Sequence, residues 1–158
     1  METKEELIRS SVQQLVRIAR KYARIEELPI SVDGGGEVTT REAHIIQAIG
    51  EDKKLNVTNL ANRVGITKSA ASQMATKLTL KGFIEKMQAP HSNKEYLLSL
   101  THSGWQVFHA HEQFHGKDMA ELVNRLNAFS LSQIATISVL LDAIGAVIDE
   151  RLAKVRKK

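Results

Sequence analysis

Five of the six histidines fall between His91 and His115, and His111-Glu112-Gln113-Phe114-His115 spells H-E-x-x-H. On a helix that spacing stacks two imidazoles one turn apart with a carboxylate between them, the pattern by which zinc peptidases hold a metal and its water. Such an enzyme also needs a third ligand and a substrate cleft. With one Trp, two Tyr and four Phe, the chain has few aromatic residues to line one. A zinc hydrolase is therefore the last of the readings these residues allow. The same pair, given a third imidazole from a neighbouring helix and a carboxylate, would instead make a tetrahedral zinc site of a sensing kind. Otherwise His109, His111 and His115 are polar residues of an ordinary helix.

A second group points to phosphate. From Lys53 to Ile84 there are six basic residues (Lys53, Lys54, Arg63, Lys68, Lys77 and Lys81) and no Asp or Glu. One-signed charge on this scale is the footprint of a polyanion-binding surface, and a protein partner gives no reason to exclude every carboxylate. That separates a DNA-binding reading from a protein-interaction module built on the same elements. Inside the stretch, Leu60 to Val64 reads as a helix capped by Asn56 or Thr58, Gly65 as a tight turn, and Thr67 to Lys81 as a second helix. This is a helix-turn-helix. Ile66, Ala71, Met74, Ala75 and Leu78 fall on one face of the second helix and should pack inward. Lys68, Ser69, Ser72, Gln73, Thr76 and Lys77 fall on the other. Gln73 can pair with adenine, the hydroxyls can touch bases or phosphates, and Lys68 and Lys77 can neutralise backbone charge.

These residues must be held by other elements. Leu7, Ile8, Val12, Leu15, Val16, Ala19, Tyr22 and Ile25 mark a long first helix that ends before Pro29. Asp33-Gly34-Gly35-Gly36 reads as a plain connector. Thr39-Thr40-Arg41-Glu42 is a capping box that opens a short helix through Ile49. After Gly82, Phe83 to Met87 and Glu95 to Leu100 flank the turn Ala89-Pro90-His91-Ser92-Asn93-Lys94 as a hairpin. A helix-turn-helix followed by a hairpin is a winged helix. From Thr101 a fifth helix runs toward Leu126. A second capping box, Ser130-Leu131-Ser132-Gln133, opens a sixth, with Leu131, Ile134, Ile137, Leu141, Ile144, Ile148 and Leu152 on one face. That helix also carries Val139, Leu140 and Val147, more apolar surface than one contact needs, which argues for burial against another subunit. The closing Lys154-Val155-Arg156-Lys157-Lys158 reads as a solvated helix end.

Composition agrees with an intracellular DNA-binding protein. The 158 residues are enough for one compact domain, and the formal charge is +4. Residues 51 to 100 hold eight Lys or Arg against four acids, which accounts for the whole net charge. The absence of cysteine fits a reducing cytoplasm and excludes Cys-ligated zinc. The acidic start is unlike a signal peptide, and no stretch is expected to approach the length of a membrane span, so a soluble, cytoplasmic protein without membrane attachment is expected.

The helix order around a central winged helix, Asn59 to Ser69, the exit Leu78-Thr79-Leu80-Lys81-Gly82-Phe83-Ile84 and the junction Leu98 to Gly104 together resemble the MarR family of transcriptional regulators. The resemblance implies a mainly α fold of about six helices with a two-stranded β-wing. Residues 39–101 would form the DNA-binding lobe, 101–127 a connecting helix, and 1–28 with 117–158 the dimerisation helices of a single chain. It implies a homodimer on pseudo-palindromic double-stranded DNA, a repressor relieved by a small effector, with no cofactor required.

Members of the family commonly carry Asp and Arg two residues apart at the wing tip. Here Ser92 and Lys94 stand there, so the planar fork and its salt bridge are lost while positive charge is kept. Lys86, His91 and Asn93 are placed to share phosphate contacts. His44 resembles a ligand position of zinc-responsive members, so His44, His111, His115 and Glu26 or Glu27 form the implied metal set, with zinc as its ion. The competing effector is a small aromatic or amphipathic acid in a pocket lined by Tyr22, His44, Trp105, Phe108 and His109. Trp105 is also expected to close the core of the lobe.

Overall fold

The computed structural model describes residues 1–33, 36–53 and 55–155. Gly34 and Gly35 of the glycine run, Lys54 of the acid-free stretch and Arg156, Lys157 and Lys158 of the basic tail lie outside them. The described elements follow in the order α1 (Lys4–Glu26), β1 (Pro29–Val32), β2 (Gly36–Thr39), α2 (Thr40–Glu51), α3 (Val57–Val64), α4 (Lys68–Leu80), β3 (Ile84–Gln88), β4 (Tyr96–Leu100), α5 (His102–Leu126) and α6 (Leu131–Val155). The fold is mainly α with a winged helix at its centre.

The helix starts are set by side chains that satisfy the first free backbone donors. Thr39 accepts from the Glu42 amide while Glu42 accepts from the Thr39 amide, the reciprocal box expected for α2. Ser130 and Gln133 do the same at α6, and Thr3 with Glu6 at α1, a box not anticipated from the sequence. Asn56 rather than Thr58 caps α3, accepting from the Asn59 amide at 2.8 Å. Gly65 ends α3 with φ at 70°, in the left-handed region where a side chain is strained, and this makes the tight turn into α4.

The chain forms two compact units, Met1–Phe114 and His115–Lys158, and α5 runs unbroken through their border. The core of the first unit gathers Ile45, Ile46 and Ile49 of α2, Leu60 of α3, Ala71, Ala75 and Leu78 of α4, Leu98 and Leu100 of β4, and Val107 and Phe108 of α5. Strands β3 and β4 pair antiparallel from Ile84 opposite Leu100 to Gln88 opposite Tyr96. Leu98 donates its amide to Leu55 at 2.8 Å, fastening the wing to the approach of α3.

Gly36, expected to belong to a plain connector from Asp33, is instead the first residue of a strand, β2, which pairs with β1. Pro29 pairs with Thr39 and Val32 with Gly36, and Ile30 and Val38 are buried. Two strands of four residues offer too little alternation to stand out beside a glycine run, yet each carries one apolar residue that the core requires.

A second correction concerns the last helix. Asp142 is the sole charged residue from Leu131 to Ile148, and α6 is long and apolar enough to cross a membrane by length and composition. The expectation that no stretch approaches that length does not hold. No residue of α6 or of α1 is buried.

Candidate nucleic-acid interface and histidine cluster

Helix α4 divides as its period requires. Ala71, Ala75 and Leu78 are buried and Ile66 and Met74 pack against the core, while Lys68, Ser69, Ser72, Gln73, Thr76 and Lys77 are all exposed. The capping hydroxyl of Thr67 accepts from the Ala70 amide at 3.1 Å, so the first turn leaves Lys68 and Ser69 outside the core. Wing and helix are joined at this face, because Lys86 Nζ of β3 donates to Thr76 Oγ1 of α4 at 3.1 Å.

Lys77 has a partner the sequence does not reveal. Its Nζ lies 2.8 Å from Glu42 Oε1, and Lys81 Nζ lies 2.8 Å from Glu42 Oε2. The Glu42 side chain is 1% exposed. Burial pushes its carboxyl upward, but hydrogen bonds from Lys77, Lys81 and the Thr39 amide together with the Lys81 charge outweigh that and hold it below the usual carboxylate range. Lys81 also donates to the Glu37 carbonyl at 3.2 Å.

At the wing tip, Ser92 serves the turn itself: its hydroxyl accepts from the Lys94 amide at 3.2 Å and its amide donates to the Ala89 carbonyl at 3.2 Å. Asn93 and Lys94 are exposed. Glu95, one residue beyond Lys94, meets His91 at 3.1 Å and accepts from the Asn56 side chain. Asn56 thus caps α3 with its oxygen and anchors the wing with its nitrogen.

The histidines expected to converge do so. His44 and His111 meet edge to face with ring centroids 4.9 Å apart, and His115 follows His111 one turn along the same helix. His44, His111 and His115 each offer one ring nitrogen, and these atoms lie within 4.8 Å of one another. Nitrogens around one tetrahedral zinc stand about 3.4 Å apart, given bonds of about 2.1 Å, so side-chain shifts on the order of 1 Å would close the set. Glu26 meets this group at His44, whose Nδ1 donates to Glu26 Oε1 at 3.2 Å, and Arg41 Nε lies 3.6 Å from the other Glu26 oxygen. Glu27 is paired with Arg41 at 3.1 Å. Tyr22 stacks on His44 with centroids 6.4 Å apart. Burial and then the Glu26 charge push its phenol above the usual value, which keeps it neutral.

Glu112, the carboxylate of the H-E-x-x-H pattern, lies 3.5 Å from His109 and is half exposed, whereas His111 is buried. The carboxylate of the pattern is thus engaged with His109.

The residues grouped as an effector pocket form two sets of contacts. Tyr22 and His44 belong to the histidine cluster. Trp105 packs on Phe108 and His109 at 5.1 and 6.0 Å. Phe108 is a core residue, pressed where Gly50 leaves room: a Cβ there would lie 2.6 Å from its ring. Trp105 is 37% exposed, so it does not close the core; Val107 and Phe108 do. A helix presents neighbouring positions to different sides, and the registry of α5 gives the inward side to those two.

Comparison with known proteins decides the family. The model of the MarR family matches residues 38–96, from β2 to the start of β4. The chain belongs to the MarR family. This is a family of transcriptional regulators, not enzymes, which removes the hydrolase reading. The chain is 31% identical over 99 residues to the uncharacterized protein Mb2034c of Mycobacterium bovis, covering 59% of this chain and 69% of that one. It is 24% identical over 110 residues to YhjH of Bacillus subtilis, an uncharacterized HTH-type transcriptional regulator, covering 70% of this chain but 63% of that protein. The match thus spans less than two thirds of YhjH. Among solved MarR folds, the zinc-responsive member ZitR of Lactococcus lactis superposes with a TM-score of 0.65 at 18% identity, over 89% of this chain and 99% of that one. ZitR in complex with DNA gives 0.67 at 20% identity, over 88% and 96%.

Proposed function

We propose that this chain is a sequence-specific DNA-binding transcriptional regulator, a homodimer that represses from a pseudo-palindromic operator until a small effector releases it. The observation that carries this is the outer face of α4. It presents hydroxyls, one amide and Lys68 to solvent, with Lys86 of the wing bonded to Thr76 and with Asn93 and Lys94 exposed on the same wing. Base edges and phosphates require such a face, and the DNA complex of ZitR supports its use. Two recognition helices must reach half-sites about 34 Å apart. The apolar residues left exposed along α1 and along α6 support a second copy as their cover. The test is duplex affinity measured against salt. Wild type should lose affinity steeply as salt rises, and Lys68→Ala should flatten the slope by about 1.8, from one lost phosphate contact per protomer at about 0.9 each. Affinity indifferent to salt would overturn the reading.

A second reading is favoured by the convergence of His44, His111 and His115. Here zinc is the effector, held by the three imidazoles, with Glu26 either receiving the His44 Nδ1 proton or closing the set as fourth ligand. The likeness to ZitR supports it. Calorimetric titration of the metal-free protein with zinc should give a defined stoichiometry that His111→Ala abolishes, and zinc should change operator affinity through differential binding to two dimer shapes. Should zinc bind with no effect on DNA, a small aromatic or amphipathic acid near Tyr22, Trp105 and His109 becomes the effector to seek.

A further inference from the structure

Glu42 carries more than a helix start. Its Oε2 accepts from the Thr39 amide at 3.0 Å and from Lys81 Nζ at 2.8 Å, and its Oε1 faces Lys77 Nζ at 2.8 Å. Both carboxylate oxygens are engaged, and the side chain is closed off from solvent. The two lysines differ. Lys81 is the more enclosed, 35% exposed against 58% for Lys77, and it also donates to the Glu37 carbonyl and lies 5.9 Å from the Phe83 ring centre. Lys77 is 58% exposed and stands on the outer face of α4, within reach of anything docked there.

We propose that Glu42 sets the usable charge of the recognition helix: it holds Lys77 back from phosphate and uses it, with Lys81, to fix the rotation of α4 against α2. The inference rests on the DNA-binding reading above. An ion pair with a buried carboxylate is screened far less by salt than one in open water, so DNA phosphate must compete with an anion that is already in place. Lys68 has no acidic residue within its own turn of the helix and sits at the front of the face. The helix therefore meets DNA with Lys68 as its cation, and with Lys77 acting as a positioning residue. The arrangement favours discrimination over raw affinity, because each cation free to track the backbone strengthens binding to every sequence alike.

The test uses the full-length protein and a random-sequence duplex of about 30 base pairs, with affinity measured over a range of salt. Glu42→Gln keeps the shape and the capping oxygen but removes the charge. It should steepen the slope of log affinity against log salt by about 1.8 for the dimer, from one further neutralised phosphate per protomer at about 0.9 each. The double variant Glu42→Gln with Lys77→Ala should return the slope to wild type. A merely structural role for Glu42 would lower affinity and leave the slope alone. A folded Glu42→Gln protein, judged by circular dichroism, with an unchanged or shallower slope overturns the inference. Should that variant not fold, the lysines decide the matter: Lys77→Ala should flatten the slope by less than half as much as Lys68→Ala, and equal flattening overturns the inference. No duplex binding by wild type under any salt condition would overturn the DNA-binding reading and this inference with it.

Discussion

His44 Nδ1 stands 3.2 Å from Glu26 Oε1, joining the end of α1 to the middle of α2 beside the ring of His111. A proton held on Nδ1 by that carboxylate leaves Nε2 of His44 with its lone pair, the state a metal requires. Zinc affinity should therefore fall as pH drops through the imidazole range, since each of the three rings must be neutral to bind. Glu26→Gln should weaken zinc about 10-fold to 100-fold if the carboxylate stands behind the histidine. Isothermal titration at two pH values checks both. Affinity that does not change with pH would count against coordination by the histidines.

Acid should unfold the winged lobe partly through Glu42. Its folded carboxyl titrates below the ordinary value, so the stabilisation is fully present above the unfolded value of about 4.3 and is lost as pH falls through the folded one. Thermal melting across that window should show wild type losing stability more steeply than Glu42→Gln. Parallel curves would show that the carboxylate contributes nothing to the acid limb.

The terminal helices give a test of assembly. Ile137 is 43% exposed and Ile144 half-buried on α6. Asp at either position should release monomers or unfolded chain, seen by sedimentation, and operator affinity should fall with it. A monomer that binds with undiminished affinity would remove the homodimer from the proposal.

Gly104 lets α5 pass close to the entry of the wing. A Cβ built there would lie 2.0 Å from the Phe83 carbonyl oxygen and 3.2 Å from Leu100 Cβ. Backbone cannot yield as a side chain does, so Gly104→Ala should cost about 3 kcal/mol, read as a lower midpoint in denaturant. Gly116→Ala, where a Cβ meets nothing within 4 Å, should be neutral or mildly stabilising by helix propensity.

Much of this architecture is legible because its signals are local. Thr39 and Glu42 announce α2, Ser130 and Gln133 announce α6, and the spacing of Ala71, Ala75 and Leu78 gives the inward face of α4. The pairing of β1 with β2 is not legible, because Ile30 and Val38 are single apolar residues in strands of four. Nor is the environment of Lys77. Once Glu42 is accounted for by its capping box, nothing nearby in the chain suggests that lysines from the far end of α4 fold back onto it. Trp105 misleads for a related reason: size suggests burial, but the registry of α5 decides which residues turn inward. His44 and His111 lie far apart in sequence, and the resemblance, not spacing, brought them together.

The salt links at Glu42 also limit how this recognition helix can be exchanged. A regulator with altered operator preference is commonly sought by grafting the outward residues of one α4 onto the body of another, as though that face were a detachable reading head. Here the head is wired to its mount at two points. A graft that replaced Lys77 and Lys81 by neutral residues would leave a closed-off carboxylate without cations, a loss of about 3–5 kcal/mol. The graft would then fail for want of a fold before its new sequence preference could be read. Portable specificity in this scaffold is confined to positions 68, 69, 72, 73 and 76, with Lys77, Lys81 and Glu42 exchanged together or left in place.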